Sequence, residues 1–392
     1  MAGSLGAPAP TEFIQRVQRR LAADGAAPDP VNLARAARAE SDGLVDDARM
    51  LTLIRQLEQE LVGCGPLTEL LADPATTDVV VNAPDDVRLD RGHGWERTGV
   101  VFADDEAVQR LARRLASMAG ARLDDAHPFV DARLRDGTRL HAVLPPLSVG
   151  GTCLSLRVLR HDRFDLATLN AAGMFPGETF DVLRRVIEAR LAFLISGGTG
   201  TGKTTLLDAL LGAVDPRERI VTVEDAEELR PAHPHVVRLV SRAENVEGAG
   251  GVTMRDLVRQ ALRMRPDRLV LGEARGAEVA DLLGALSTGH DGGAGTVHAN
   301  GPREVPARLA ALGAMGGVDR AAIYAQLSGA VQVILHLRRD HGVRRLTDIA
   351  VLAEPDGGTP RVVSAVVEGR PTADGASLLA GLLGARGVAS PW

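Results

Sequence analysis

Lysine is almost missing from this chain of 392 residues: Lys203 is the only one, and the other 44 basic side chains are arginine. Arginine therefore serves wherever a generic positive charge is needed, and the one lysine stands where a compact ammonium fits and a planar guanidinium does not. Aromatic residues make up only 3% of the chain, which leaves few platforms for stacking single-stranded bases. There is no basic excess either, the net charge being -6, which argues against a surface given over to nucleic-acid backbone. Two cysteines, Cys64 and Cys153, exclude a disulfide framework and fit a reducing compartment. No apolar run approaches roughly 18 residues, so no transmembrane helix is expected. Met1 to Pro10 lacks a basic stretch followed by an apolar one, so no signal peptide is visible. These absences together predict a cytoplasmic protein that meets a membrane only through partners.

The composition that remains is that of a globular protein, 45% hydrophobic and 24% charged, with length for two or three domains. Residues 1–62 read as a helical appendage behind a Gly/Ala/Pro-rich start. Phe13, Val17 and Leu21 recur at helical spacing, as do Leu51, Leu53, Ile54, Leu57 and Leu61. Residues 63–160 read as a small α+β domain. Short strands are expected at Asp78–Asn82, Val87–Leu89, Gly99–Phe102, Val130–Leu134, Arg139–Leu144 and Cys153–Leu159, with a helix capped by Asp104. The turn Arg135-Asp-Gly-Thr138 predicts a hairpin. Residues 161–177 read as a linker. From 178 to 370, helices alternate with apolar strands at Leu191–Ile195, Arg219–Glu224, Arg268–Leu271 and Ala294–His298. Alternation of this kind implies a parallel sheet covered by helices. The apolar runs Val331–Leu337 and Leu346–Leu352 extend that domain. Residues 371–392, weakly patterned and rich in Ala, Gly and Leu, read as a flexible tail, a short helix being the alternative the pattern also allows.

Chemistry concentrates in the larger domain. Gly197, Gly198, Thr199, Gly200, Thr201, Gly202, Lys203 and Thr204 fit the phosphate-loop pattern G-x-x-x-x-G-K-[ST], between an apolar strand and a helix that opens with Thr205. Its glycines let backbone amides approach phosphate closely. Lys203 is expected on the β/γ-phosphates and the Thr204 hydroxyl on Mg²⁺. Val223-Glu224-Asp225 ends a predicted strand at the edge where ligands of open α/β sheets gather, although a strand-end carboxylate can equally cap the next turn. The run from Asp267 to Arg275 delivers Glu273 to the same edge, suited to orienting the attacking water or holding Mg²⁺. His290 and His298 flank glycines and allow three readings: a metal site, which lacks companions at metal spacing, a sensor of the γ-phosphate or a neighbouring subunit, or a structural hydrogen bond.

With these boxes in place the chain resembles the secretion ATPases of the type II/type IV superfamily, with the features of the bacterial tight-adherence (Flp) pilus branch, TadA/CpaF-like. The resemblance covers Gly63 to Leu352. It rests on Gly197–Thr204, Val223–Leu229, Leu269–Gly276, Thr288–Asn300, Asn245–Gly248 and Arg263–Asp267, and upstream on Gly65-Pro-Leu67, Val81-Asn82, Asp136–Arg139 and Ser155-Leu-Arg157. Ala226 departs from it, standing where the branch carries a small hydroxyl residue. The resemblance implies a RecA-like P-loop motor domain preceded by a PAS-like α+β domain, in a homohexamer with ATP at the subunit interface. By it Glu273 activates water, Glu224 and Asp225 act near Mg²⁺, and Arg139, Arg157 and Arg242 reach the phosphates from the N-terminal domain or a neighbour. It implies ATP hydrolysis that drives a pilus or secretion apparatus through inner-membrane platform proteins, without direct nucleic-acid binding. A conjugation-associated DNA-transfer ATPase, a small-molecule phosphotransferase and a non-hydrolysing scaffold are the alternatives.

Overall fold

The computed structural model describes residues 11–24, 26, 30–41, 50, 53–54, 57, 63–134, 136–158, 164–242, 244, 249–289, 291–340 and 342–392. The expectations for residues 1–10, for most of 51–62, for 245–248 and for His290 lie outside these. The chain divides into two units, Met1–Arg160 and His161–Trp392.

In the first unit, Phe13, Val17 and Leu21 recur every four residues on α1 (Thr11–Ala23) and bury one stripe against Leu33, Ala36 and Ala37 of α2 (Pro30–Glu40). Met50 and Leu57 close this small core. A short helix, α3 (Thr68–Ala72), leads into an antiparallel sheet of β1 (Asp78–Ala83), β2 (Asp86–Asp90), β3 (Trp95–Arg97), β4 (Phe129–Arg133), β5 (Arg139–Val143) and β6 (Cys153–Arg157). Its order is β3-β2-β1-β6-β5-β4. Alternate residues such as Val79, Val81, Leu154 and Leu156 point into a core shared with Val108, Leu111 and Leu115 of α4 (Asp105–Met118). Asp104 caps that helix, accepting from the Ala107 amide at 2.8 Å. Gly137, at φ +93°, supplies the turn of the β4–β5 hairpin. Gly99–Phe102, expected as a strand, is not one. Its chain is held by isolated bonds, Thr98 N to Val87 O and Phe102 N to Pro84 O, and the apolar signal comes from Phe102 plugging the core.

The second unit is built on nine strands: β7 (Phe193–Gly197), β8 (Ile220–Glu224), β9 (Val236–Val240), β10 (Arg268–Ala274), β11 (Ala294–Val297), β12 (Val333–Asp340), β13 (Val343–Asp356), β14 (Thr359–Val367) and β15 (Arg370–Pro371). Their order is β15-β14-β13-β12-β7-β11-β10-β8-β9, parallel from β12 to β9 and antiparallel beyond. Strands covered on both faces read as continuous apolar runs. Phe193 and Ile195 face one core with α5 (Leu166–Ala171), α6 (Thr179–Glu188), α7 (Lys203–Gly212) and α12 (Ala373–Ala385). Leu194 faces the other, with α8 (Met254–Leu262), α9 (Glu278–Leu286), α10 (Val305–Met315) and α11 (Arg320–Ala330). Among the described residues no helix is long and apolar enough to cross a membrane.

Two expectations are corrected here. The supposed linker contains α5, capped by Asp165 on the Thr168 amide at 2.7 Å, and buries Leu166, Leu169, Met174 and Phe175. The supposed flexible tail forms α12, whose Leu379 and Leu383 are buried one turn apart. A Cβ on Gly375 would lie 2.0 Å from the Ser364 carbonyl oxygen, so the missing side chain is what lets α12 seat on β14. Low helical contrast in an Ala/Gly-rich segment hid this close packing from the sequence.

Candidate active site

Because β7, β8, β10 and β11 run parallel, their C-terminal ends meet at one sheet edge. Ser196 is in register with Val297, Val297 with Ala274, and Leu271 with Val223. That register brings Gly197, Glu224, Glu273 and His298 together from segments up to a hundred residues apart in sequence.

The P-loop fills the turn between β7 and α7. Gly197 lies at φ +153°, and a Cβ there would come within 2.6 Å of the Leu337 carbonyl oxygen. Gly202, at φ +94°, is the N-cap of α7 in the left-handed region, where L side chains are disfavoured. Thr201 Oγ1 donates to Gly198 O at 3.0 Å and braces the loop. Lys203 is only 7% exposed. Its ammonium donates to the carbonyls of Gly197 (3.2 Å) and Gly198 (2.9 Å) and lies 3.3 Å from His298 Nδ1. Burial pushes its pKa down, opposed by the charge of Glu273. A buried ammonium folded back on its own loop carbonyls, at a helix N-terminus, is a fitting cradle for an incoming polyphosphate. Thr205 follows in the first turn of α7, and Thr199 lines an adjoining cavity of about 500 Å³ with Gly198, His298, Asn300, Glu304 and Arg308.

Four carboxylates gather at this edge, and the charges of Glu273 and Glu228 act on the lysine. Glu273 accepts from Arg275 Nε at 2.7 Å and pairs through its other oxygen with His298 Nε2. Lys203 can only donate, so His298 Nδ1 accepts and the ring proton sits on Nε2, facing Glu273. Burial, with Lys203 next in weight, lowers the His298 pKa and favours that neutral ring. Asp225 pairs with Arg275 Nη1. Glu224, 2% exposed, accepts at Oε1 from the amides of Glu228 (3.0 Å) and Leu229 (2.9 Å), while its buried Oε2 has no partner among the described residues. Burial raises its pKa to about 7. Gly272 makes room for it, since a Cβ there would lie 2.7 Å from Glu224 Cγ. Thr204 Oγ1 donates to Glu228 Oε2 at 3.3 Å, an oxygen pair of the type Mg²⁺ takes alongside phosphate oxygens and water.

The scan against family models matches residues 60–369 to the type II/IV secretion system protein family. The chain belongs to that family. P-loop geometry and family membership together make it an ATPase. A putative conjugal transfer protein of Mycobacterium tuberculosis (strain H37Rv) is 60% identical over 321 residues, covering 80% of this chain and 91% of the relative. The type IV secretion system protein VirB11 of Brucella suis is 32% identical over 273 residues, covering 63% and 75%. Among solved structures, the pilus retraction motor PilT with bound ADP aligns with TM-score 0.51 at 20% identity, covering 79% of this chain and 84% of that one. The DotB ATPase of Yersinia pseudotuberculosis aligns with TM-score 0.51 at 16% identity, covering 76% of each. At these identities the two structures speak for the fold.

The candidate arginines of this secretion-family chain have partners within their own units. Arg139 and Arg157 are directly opposed on β5 and β6 of the first unit; Arg157 binds Asp78 at 2.8 Å and Arg139 lies 3.9 Å from Asp131. Arg242 follows Ser241, which bonds the backbone of Glu224 and Asp225, but its guanidinium turns away to Gly250 O at 2.7 Å. The arginine beside Glu273 is Arg275 instead, and Glu228 is the carboxylate beside Thr204. Both lie in the quoted motifs, two residues past Glu273 and four past Glu224. Neither spacing alone says which side chain turns inward.

Proposed function

We propose that the chain is a subunit of an ATP-driven ring motor for a type IV secretion apparatus of the conjugal-transfer kind. The observation that carries the motor is the convergence of Lys203, Thr204, Glu273, His298 and Arg275 on one sheet edge. Lys203 leaves its loop carbonyls for the β- and γ-phosphates. Glu273, held by Arg275 and His298, orients the attacking water once phosphate draws those two partners away. Thr204, with Asp225 and Glu228, would hold Mg²⁺, which would supply neutralisation of the phosphate charge. Glu224 keeps this loop in place through the amides of Glu228 and Leu229. Arg139, Arg157 and Arg242 reach the phosphates from the N-terminal domain or from a neighbouring subunit. The antiparallel sheet with α4 is read as the PAS-like domain that moves against the motor domain in a homohexamer docked on membrane platform proteins.

The high identity to a putative conjugal transfer protein supports that apparatus. Pilus assembly of the tight-adherence type is the second reading, favoured by the resemblance of Asn245–Gly248 and Arg263–Asp267 to that branch. The net charge of -6 supports a motor that drives the machine without gripping DNA. Phosphate release by the purified protein, with and without Mg²⁺ and DNA, tests the enzyme: Mg²⁺-dependent turnover unaffected by DNA is expected, and a strictly DNA-dependent rate would sink the proposal. Deletion of the coding sequence from its host separates the two apparatus readings. Lost DNA transfer with intact surface filaments favours conjugation, and the reverse favours the pilus.

A further inference from the structure

The hairpin joining β12 to β13 carries four arginines that the proposed function leaves unused. Its register sets Arg338 opposite Arg345 and Arg339 opposite Arg344. Directly opposed residues share a face and successive ones alternate, so each face of the hairpin bears a pair of arginines. The Arg339/Arg344 face meets the P-loop. Arg344 Nε donates to Gly200 O at 3.2 Å, and its Cδ lies 3.3 Å from where a Cβ on Gly202 would stand. Arg339 Nη1 lies 3.6 Å from the corresponding point on Gly200. Burial, with Arg339 next in weight, pushes the Arg344 pKa down.

The side of the loop they occupy decides what they would bind. In the order β12-β7-β11-β10, the strand that feeds the P-loop has β12 on one side and the His298 and Glu273 strands on the other. A polyphosphate whose reacting end lies at Glu273 therefore presents its opposite end toward β12. We propose that Arg339 and Arg344 form a clamp, within one subunit, for the non-reacting phosphates of the bound nucleotide. A guanidinium has five N–H donors in a planar fork that matches phosphate oxygens, and the Gly200 bond engages one of those of Arg344. The clamp holds ATP and ADP alike, because both carry the α- and β-phosphates. This rests on the nucleotide reading above, so the experiment must be able to separate the two.

Equilibrium binding of ADP and of ATP to the full chain in EDTA, by isothermal titration, supplies a readout free of turnover. Wild-type protein that binds neither nucleotide would sink the nucleotide reading and the clamp with it. With wild-type binding in hand, Arg339→Gln/Arg344→Gln is expected to weaken ADP and ATP equally, by tenfold or more. Its KM should rise in step while kcat stays within threefold. Arg338→Gln/Arg345→Gln removes the same charge from the opposite face and should stay within twofold of wild type. Arg344→Lys, which keeps the charge but loses the fork, should fall between the two and guards against a double variant that fails to fold. Wild-type ADP affinity in the Arg339/Arg344 variant overturns the clamp. So does equal weakening by both double variants, which would mean a general charge effect, and so does a loss of kcat at unchanged affinity, which would put the pair at the reacting end.

Discussion

Strand β10 carries charge at both ends, and the fold treats the two ends in opposite ways. At its start Arg268, 1% exposed, is bonded throughout. It binds Glu218 at 2.7 and 3.2 Å, the Ile187 carbonyl at 2.9 Å and the Gly292 carbonyl at 3.4 Å. At its finish Glu273 shares Arg275 with Asp225 and His298 with Lys203, and Glu224 keeps a buried oxygen without a partner among the described residues. A buried charge with every bond made is a structural joint. A buried charge whose partners are shared with other groups can exchange them for a ligand.

Breaking the satisfied end should produce the largest effect. Arg268→Ala leaves the largely buried Glu218 with only Arg190, 3.6 Å away, and should cost about 3 kcal/mol or more of stability in a denaturant titration. The remaining folded fraction should hydrolyse ATP at the normal rate per molecule. Glu273→Gln should do the converse: turnover falls a hundredfold or more, about 3 kcal/mol of barrier, while the denaturation midpoint hardly moves. If Glu273→Gln destabilises as much as Arg268→Ala, the contrast between the two ends fails.

Glu224 sharpens the contrast through pH. Its folded pKa of about 7 lies above the ordinary value of 4.5, so the native state holds the proton more tightly than the unfolded chain. The stability this gives is whole below about pH 4.5 and is lost as pH rises through 7, on the order of 3 kcal/mol. Glu224→Gln should flatten that slope in thermal melts recorded between pH 5 and 8, and an unchanged slope would count against a strained carboxylate. The smallest effect is expected from Gly375→Ala, remote from both ends. Its new Cβ must push α12 off β14, costing about 2 kcal/mol in a thermal melt with kcat unchanged.

Much of the site was legible beforehand because its motifs are local. The P-loop needs glycines at fixed steps, and a run such as Leu269-Val-Leu271 can only be a buried strand that delivers whatever follows it. Arg275, Glu228, Arg339 and Arg344 were not legible. Each sits within two to four residues of a recognised position or on a hairpin far downstream, and only cross-strand register places it. The α12 segment was only half legible for a related reason: small residues give weak periodicity, which leaves helix and flexible tail both open, yet they are what permits helix and strand to approach.

The amino-acid sequence by itself determined that a nucleotide-phosphate loop lies in an α/β domain, and that its lone lysine is the residue arginine could not replace. Tertiary structure alone decided which carboxylate meets which cation. The parallel register of β7, β11, β10 and β8 sets Lys203 against His298 and Glu273, and the antiparallel register of β12 and β13 brings two arginines onto the far side of the loop. Ion pairing depends on distances of a few ångströms between segments far apart in the chain, and only folding sets those distances.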